Sequence, residues 1–407
     1  MRRRVVVTGA GVVSSLGAGV DSFWDALAEG RSGASRVEVE GLGELTAFPV
    51  PDDAEDAKER FGQKEARRMD RAGRFASVAA ALALEDAGLR EPDPERIGAS
   101  IGSVHGGPET LLEAHRVLAE RGADRVSPLA IPLSLANAPC AAAARSLGLR
   151  GPSAAPATAC AAGSDAIGTA LVLLRDGRAD AMVAGGAEAP ISPMVVAGYR
   201  RVGALTKSDR PAREACRPFD LARDGFVIAE GAGVLLLEER EHALARGARI
   251  YAELAGYGST CDANHLTDPD PLGEGPSRAM LLALADAGIG PEDIGYVNAH
   301  ATATPSGDLA ESRALALAGL TGAAVSSTKG AHGHALGGAG GLEAVALLMA
   351  FSRDVLPPTI NLDDPDPGSP LDHVTSPRSV AVGAVLSNSF GFGGHNSSLV
   401  FLRHETL

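Results

Sequence analysis

Apolar residues fall in short blocks that alternate with longer Ala-rich stretches along the whole chain. Val5-Val6-Val7, followed by glycines, reads as a buried strand and a Gly turn. Ala76 to Ala87 reads as a helix, with Gly88 in the capping position just past its end. Asp165 to Leu174 reads as another helix, and Ala181 to Gly185 as the strand that follows it. Continuous apolar strands interleaved with helices predict an α/β fold whose strands are covered on both faces.

The pattern repeats. Ala-Leu-Ala-Leu-Glu-Asp-Ala-Gly starts at Ala81 and Leu-Leu-Ala-Leu-Ala-Asp-Ala-Gly at Leu281, which sets Asp86 and Asp286 200 residues apart. Each copy predicts a helix, a Gly cap, a Pro-acidic turn and a strand, from Ile101 in one and Tyr296 in the other. A strand, a small-residue turn and an Ala-rich helix around Thr158 to Leu174 recur in the same order from Val325 to Met349. The expectation is a duplicated α/β unit with halves at 1–250 and 251–407. A functional site would lie where the halves meet.

Composition narrows the function. Of 407 residues, 45% are hydrophobic and 22% charged, which fits a packed globular protein and excludes disorder. A net charge of -14 argues against general nucleic-acid binding. Cys140, Cys160, Cys216 and Cys261 are scattered and show no CxxC spacing. Neither a disulfide framework nor a metal site is expected, and a reducing cytoplasm fits best. The basic, then apolar, opening residues look like a leader, but Gly9 and Gly11 interrupt them and no cleavage pattern follows. Leu129 to Ala144 is too short and too broken by Pro132, Asn137 and Pro139 to span a bilayer. Val7-Thr-Gly-Ala-Gly-Val-Val resembles the start of a dinucleotide-binding turn, but Ser14 stands at the third glycine position. A tight strand-to-helix turn is expected there instead.

Four segments carry candidate chemistry. Pro156-Ala-Thr-Ala-Cys-Ala-Ala-Gly-Ser164 surrounds Cys160 with small residues, so the chain turns sharply and a helix begins at the cysteine. The positive end of that helix and its unpaired amides favour a thiolate. His300 ends an apolar strand in Val297-Asn-Ala-His-Ala-Thr-Ala-Thr-Pro-Ser-Gly-Asp308, and Thr302 and Thr304 share one face beyond it. His334 lies at a strand-to-helix turn, five residues after Lys329 and nine before Glu343. The Gly-rich run Leu386-Ser-Asn-Ser-Phe-Gly-Phe-Gly-Gly-His-Asn396 is a candidate mobile loop that presents a backbone N–H and a phenyl gate.

With Arg217-Pro-Phe-Asp220, Arg223-Asp-Gly-Phe226, Glu230-Gly-Ala-Gly233 and Leu356-Pro-Pro-Thr-Ile-Asn361, these motifs make nearly the whole chain resemble the elongating β-ketoacyl-[acyl carrier protein] synthases. The resemblance implies the thiolase fold, with α-β-α-β-α layers, and an acyltransferase. Cys160 would carry an acyl thioester. His300 and His334 would stabilise the enolate formed when malonyl-acyl carrier protein loses CO₂. The amides of Cys160 and Phe392 would form an oxyanion hole. Lys329, Asp308, Glu311 and Glu343 match the charged residues that orient the histidines. Thr302, Thr304, Phe390 and Asn396 match the residues around the pantetheine arm and gate. No bound cofactor is implied, since phosphopantetheine arrives on the carrier.

The partners implied are the acyl carrier protein and a second subunit, either an identical copy or a chain-length factor; no nucleic acid and no membrane. The basic run Lys64, Arg67, Arg68, Arg71 and Arg74, with Arg200, Arg201 and Lys207, is the expected carrier-docking surface. Three positions depart from the family pattern: Asp165 for a usual His, Ala303 for Ser or Gly, and His332 for a common Thr. Asp165 resembles the alpha subunits of type II polyketide ketosynthases. Asn298-Ala-His-Ala-Thr302 and Phe390-Gly-Phe-Gly-Gly-His-Asn396 instead resemble the fatty-acid enzymes, so fatty-acid elongation is the first expectation and polyketide elongation the alternative. A non-catalytic chain-length partner subunit is a remote third reading, because such partners lack the cysteine that is present here.

Overall fold

The computed structural model describes residues 2–90 and 92–404. At its middle, strands Val5–Ser14 and Ala252–Cys261 run antiparallel, joined by only two residue pairs, Val6 with Glu253 and Val7 with Ala252. One arm of sheet continues outward through Gly231–Glu239, Ala181–Glu188, Ile97–Gly102 and Ser153–Ala154. The other continues through His395–Arg403, Ala384–Gly391, Ile294–Asn298, Ala324–Ser326 and Asp372–His373. Each arm is antiparallel near the middle and parallel at its edge. The arms correspond strand for strand, with one extra edge strand in the second.

Helices complete the layers. Arg71–Asp86 covers the outer face of the first arm and Glu274–Ala287 that of the second. Helices Ala162–Arg175 and Ala339–Arg353 pack against strands of both arms and form the central layer. Every residue from Ala339 to Phe351 is buried, which is why this stretch shows no polar face in the sequence. The result is the expected α-β-α-β-α order. No described helix is long and apolar enough to cross a membrane.

The duplication extends to atomic detail. On the first central strand, a Cβ added at Gly9 or Gly11 would lie 2.1 Å and 2.0 Å from the carbonyl oxygens of Ala83 and Ala79. On the second, Gly256 and Gly258 face Ala283 and Ala279, both at 2.1 Å. Asp86 accepts the Ala10 amide at 2.9 Å, and Asp286 accepts the Tyr257 amide at 3.0 Å. The paired aspartates therefore pin each outer helix to its strand, and the glycines let helix and strand backbones touch. Gly258→Ala is expected to cost about 1–3 kcal/mol through overpacking, read from the urea midpoint. An unchanged midpoint would show that the contact is slack.

Several local expectations change. Gly9 and Gly11 form no turn: the first strand runs unbroken to Ser14, and neither the Gly turn after Val7 nor the strand-to-helix turn exists. Strands read from Ile101 and Tyr296 begin earlier, at Ile97 and Ile294. The α-helix does not begin at Cys160. A single 3₁₀ turn, Ala159–Ala161, intervenes, and Ala159 adopts a left-handed φ of 51°. The second half repeats this elbow with Leu336 at 46° and a 3₁₀ turn Leu336–Gly338, so Gly337 stands where the first half has Cys160.

Candidate active site

Cys160, His300 and His334 line one cavity of about 190 Å³ at the junction of the halves. The cysteine comes from the first half, at the head of a central helix. His300 follows strand Ile294–Asn298 by two residues. His334 does not sit at a simple strand-to-helix turn. A short helix, Lys329–His332, separates it from strand Ala324–Ser326, and its amide bonds the Val227 carbonyl at 2.9 Å.

The two imidazoles meet edge to face, with centroids 5.3 Å apart. Phe226 packs against His334 at 5.2 Å and Phe390 against His300 at 5.6 Å. Packing, rather than carboxylate contact, holds the rings, since both Nδ1 atoms are buried without a hydrogen-bond partner. Burial, then the nearby Lys329 charge, holds both histidines well below the ordinary imidazole range. They are neutral groups at physiological pH and offer N–H donors without carrying charge.

Charged residues sit behind the rings. Lys329 and Glu343 form a fully buried ion pair. Glu311 accepts the amides of His300 at 2.9 Å and Ala301 at 2.7 Å, and the Asn388 side chain at 3.1 Å. It thus fixes the loop that carries the histidine. Asp308 touches neither histidine: it accepts the Phe219 amide at 2.8 Å and lies 3.6 Å from Arg223. Burial pushes Asp308, Glu311 and Glu343 up to about 7.

The thiol departs from expectation. Amides of Phe392 and Cys160 do point at the sulfur, and the Lys329 charge favours the anion, yet burial dominates and pushes the group up to about 12. Cys160 therefore rests as a thiol. Its alkylation by iodoacetamide is expected to rise about tenfold per pH unit between about pH 7 and 9. A plateau inside that range would show that the helix end outweighs burial.

Thr302 and Thr304 both line the cavity, with hydroxyls 3.2 Å apart, as do Phe390 and Phe392. Asn396 reaches the cavity, but its amide is engaged with Asp262 at 2.6 Å and the Gly394 carbonyl at 3.2 Å, so it braces the Gly-rich loop. Ala303 is buried at a φ of 68°, the region where glycine is easiest. His332 is buried, held down to about 3 by burial and Lys329, and bonds Thr328 at 3.0 Å.

Of the basic run, Lys64, Arg67 and Arg68 are exposed. Arg71 and Arg74 turn inward, to Glu230 at 2.9 Å and Glu55 at 2.7 Å, and are spent on the fold. Arg200 and Arg201 lie on the helix that puts Tyr199 and Val202 on the cavity wall, and both are exposed, as is Lys207. Sequence reasoning missed Tyr199, whose ring packs against Phe226 at 5.4 Å and Phe392 at 6.2 Å. Phe226 lay within a quoted motif but was given no role. Nothing local in the sequence marks Tyr199.

Residues 2–243 match the model of the beta-ketoacyl synthase N-terminal domain and residues 251–363 that of the C-terminal domain. The chain belongs to the beta-ketoacyl synthase family. The chain is 45% identical to 3-oxoacyl-[acyl-carrier-protein] synthase 2 of Synechocystis sp., with 99% of each chain covered. To the enzyme of that name from Staphylococcus aureus strain COL it is 44% identical at the same coverage. Among solved structures, the ishigamide ketosynthase/chain length factor is similar at a TM-score of 0.93 and 36% identity over all of both chains. A beta-ketoacyl synthase from Burkholderia phymatum STM815 matches at 0.92 and 38%, again over all of both chains. As a ketoacyl synthase the protein is an acyltransferase, and the fold found here is that of the family.

Proposed function

We propose that this synthase joins an acyl chain, held as a thioester on Cys160, to malonyl-acyl carrier protein during fatty-acid elongation. The observation that carries this reading is the single cavity in which a cysteine aimed at two amides meets two neutral histidines. The full-length likeness to synthases named for 3-oxoacyl-carrier formation supports it.

The thiol of Cys160 attacks the carrier's thioester carbonyl. The oxyanion accepts the amides of Cys160 and Phe392, and the pantetheine sulfur leaves with the proton. Malonyl-carrier then enters. Its C–C bond to the carboxylate breaks, CO₂ departs, and the electron pair moves into an enolate whose oxygen accepts from His300 and His334. Neutral donors suit this step, because a cationic imidazole would protonate the enolate. The carbanion attacks the acyl-cysteine carbonyl, and collapse expels the cysteine sulfur. Two covalent half-reactions give ping-pong kinetics. Loss of CO₂ drives the condensation, so no resident cofactor is required.

Thr302 and Thr304 line the wall along which a pantetheine arm would lie. Exposed Lys64, Arg67, Arg68, Arg200, Arg201 and Lys207 supply local positive charge for an acidic carrier on a chain of net charge -14. A second subunit is part of the reading. Helix Pro108–Arg121 buries none of its residues, and Leu111, Leu118 and Ile131 are 48%, 48% and 61% exposed. A cytoplasmic location is part of the reading.

Polyketide elongation is the second reading. It is favoured by Asp165 and by likeness to ketosynthases solved with a carrier protein or a chain-length factor. Mass spectrometry of carrier-bound product separates the two. The chain alone is expected to extend saturated acyl-carriers by two carbons. Activity only after co-expression with a chain-length factor, or poly-β-keto products, would favour polyketide elongation.

A further inference from the structure

Asp165 has no part in the steps above, yet it is buried one turn into the nucleophile helix. One carboxylate oxygen accepts the Thr158 hydroxyl. The other accepts the Tyr257 hydroxyl at 2.8 Å. Thr158 is in the elbow itself: its carbonyl accepts the Ala161 amide at 3.1 Å and closes the turn that holds Cys160. Tyr257 belongs to the second half, on strand Ala252–Cys261, and its ring lies flat on the helix where a Cβ at Gly168 would meet it at 2.4 Å. The carboxylate therefore joins the nucleophile's turn to the opposite half of the protein.

What the tie holds in place is the oxyanion pair. The elbow touches the Gly-rich loop closely: a Cβ at Gly391 would lie 2.7 Å from the Thr158 carbonyl and 3.0 Å from the Cys160 nitrogen. Phe392, the next residue, supplies the second amide at the sulfur. The left-handed φ of Ala159 is costly for a residue with a Cβ and persists only where neighbours enforce it. Ser164 and Ser389, 2.8 Å apart, make a second link across the same junction.

We propose that Asp165 and Tyr257 are positioning residues: by anchoring Thr158 across the junction they hold the elbow in the conformation that aims the Cys160 sulfur and amide at the Phe392 amide. This rests on the proposed acylation of Cys160. They serve the cysteine half-reaction and not the enolate step, since neither contacts a histidine.

Tyr257→Phe removes one hydroxyl and leaves the ring on Gly168, so the fold is preserved. Asp165→Asn keeps the size but leaves one acceptor oxygen for two hydroxyls. Both variants are expected to slow acyl transfer to Cys160, and its alkylation by iodoacetamide, by about tenfold. Malonyl decarboxylation, measured in a Cys160→Ala background, is expected to be unchanged. The double variant should be no worse than Asp165→Asn alone, because both act through one carboxylate. Unchanged alkylation and acylation in both single variants would overturn the proposal. So would equal losses in acylation and decarboxylation, the mark of general loosening. Alkylation needs no acyl substrate. Failure of the wild-type protein to acylate would therefore overturn the functional reading while alkylation still judges the tie.

Discussion

Cys160→Ala is expected to abolish condensation, by ~10⁴-fold or more, while malonyl decarboxylation continues. Cys160 carries the one thiol among the described residues that line the cavity, and a thioester leaves the acyl carbonyl more open to attack by a carbanion than an ester on a neighbouring hydroxyl would. The enolate step asks nothing of the thiol. His300 and His334 are placed by aromatic packing and by the Glu311 and Val227 contacts, none of which involves residue 160. The substitution removes one buried sulfur and leaves the two amides in place. Radiolabelled acyl transfer and CO₂ release measured on the same preparation check both halves. Retained condensation would end the covalent mechanism; loss of both activities together would show that the histidines depend on the cysteine for their placement.

Lys329→Met is expected to destabilise the protein by about 3–5 kcal/mol, because it strands the Glu343 carboxylate in the core without its counter-charge. Replacing both partners, as Lys329→Met with Glu343→Leu, should recover most of that stability. It should not recover activity. The ammonium acts on all three central groups, adding to the burial that lowers the His300 and His334 pKa values and favouring the cysteine anion. The pH dependence of the single variant carries a sign. Burial raises the Glu343 pKa above its unfolded value. Protonation therefore favours the folded state, and stability should fall as pH rises from about 5 toward 8. Chemical denaturation at several pH values measures this. A single variant as stable as the parent would show that water reaches Glu343.

Much of this architecture was legible because duplication leaves a trace. Asp86 and Asp286 share a neighbourhood in the sequence because each accepts a strand amide and so pins the end of its outer helix to the corresponding strand. The catalytic candidates stood out for a related reason: a cysteine or histidine set among alanines and glycines has no packing role to explain it. Strand limits were less visible. Gly9 and Gly11 read as a turn because local propensity treats glycine as a breaker, whereas here it marks a helix pressed against a strand. Arg71 and Arg74 read as surface charge because their partners Glu230 and Glu55 are set by the fold. The thiol was misjudged in the same way. A helix end is visible in sequence, but the depth of burial around it is not.

Strand His395–Arg403, almost the last of the chain, lies beside one central strand and completes the loop that carries Phe392. Cys160 is made long before it. During synthesis on the ribosome the sulfur thus spends most of its time without its second amide or either imidazole. The oxyanion pair joins residues 160 and 392, and it exists only once strand His395–Arg403 has paired with both of its neighbours.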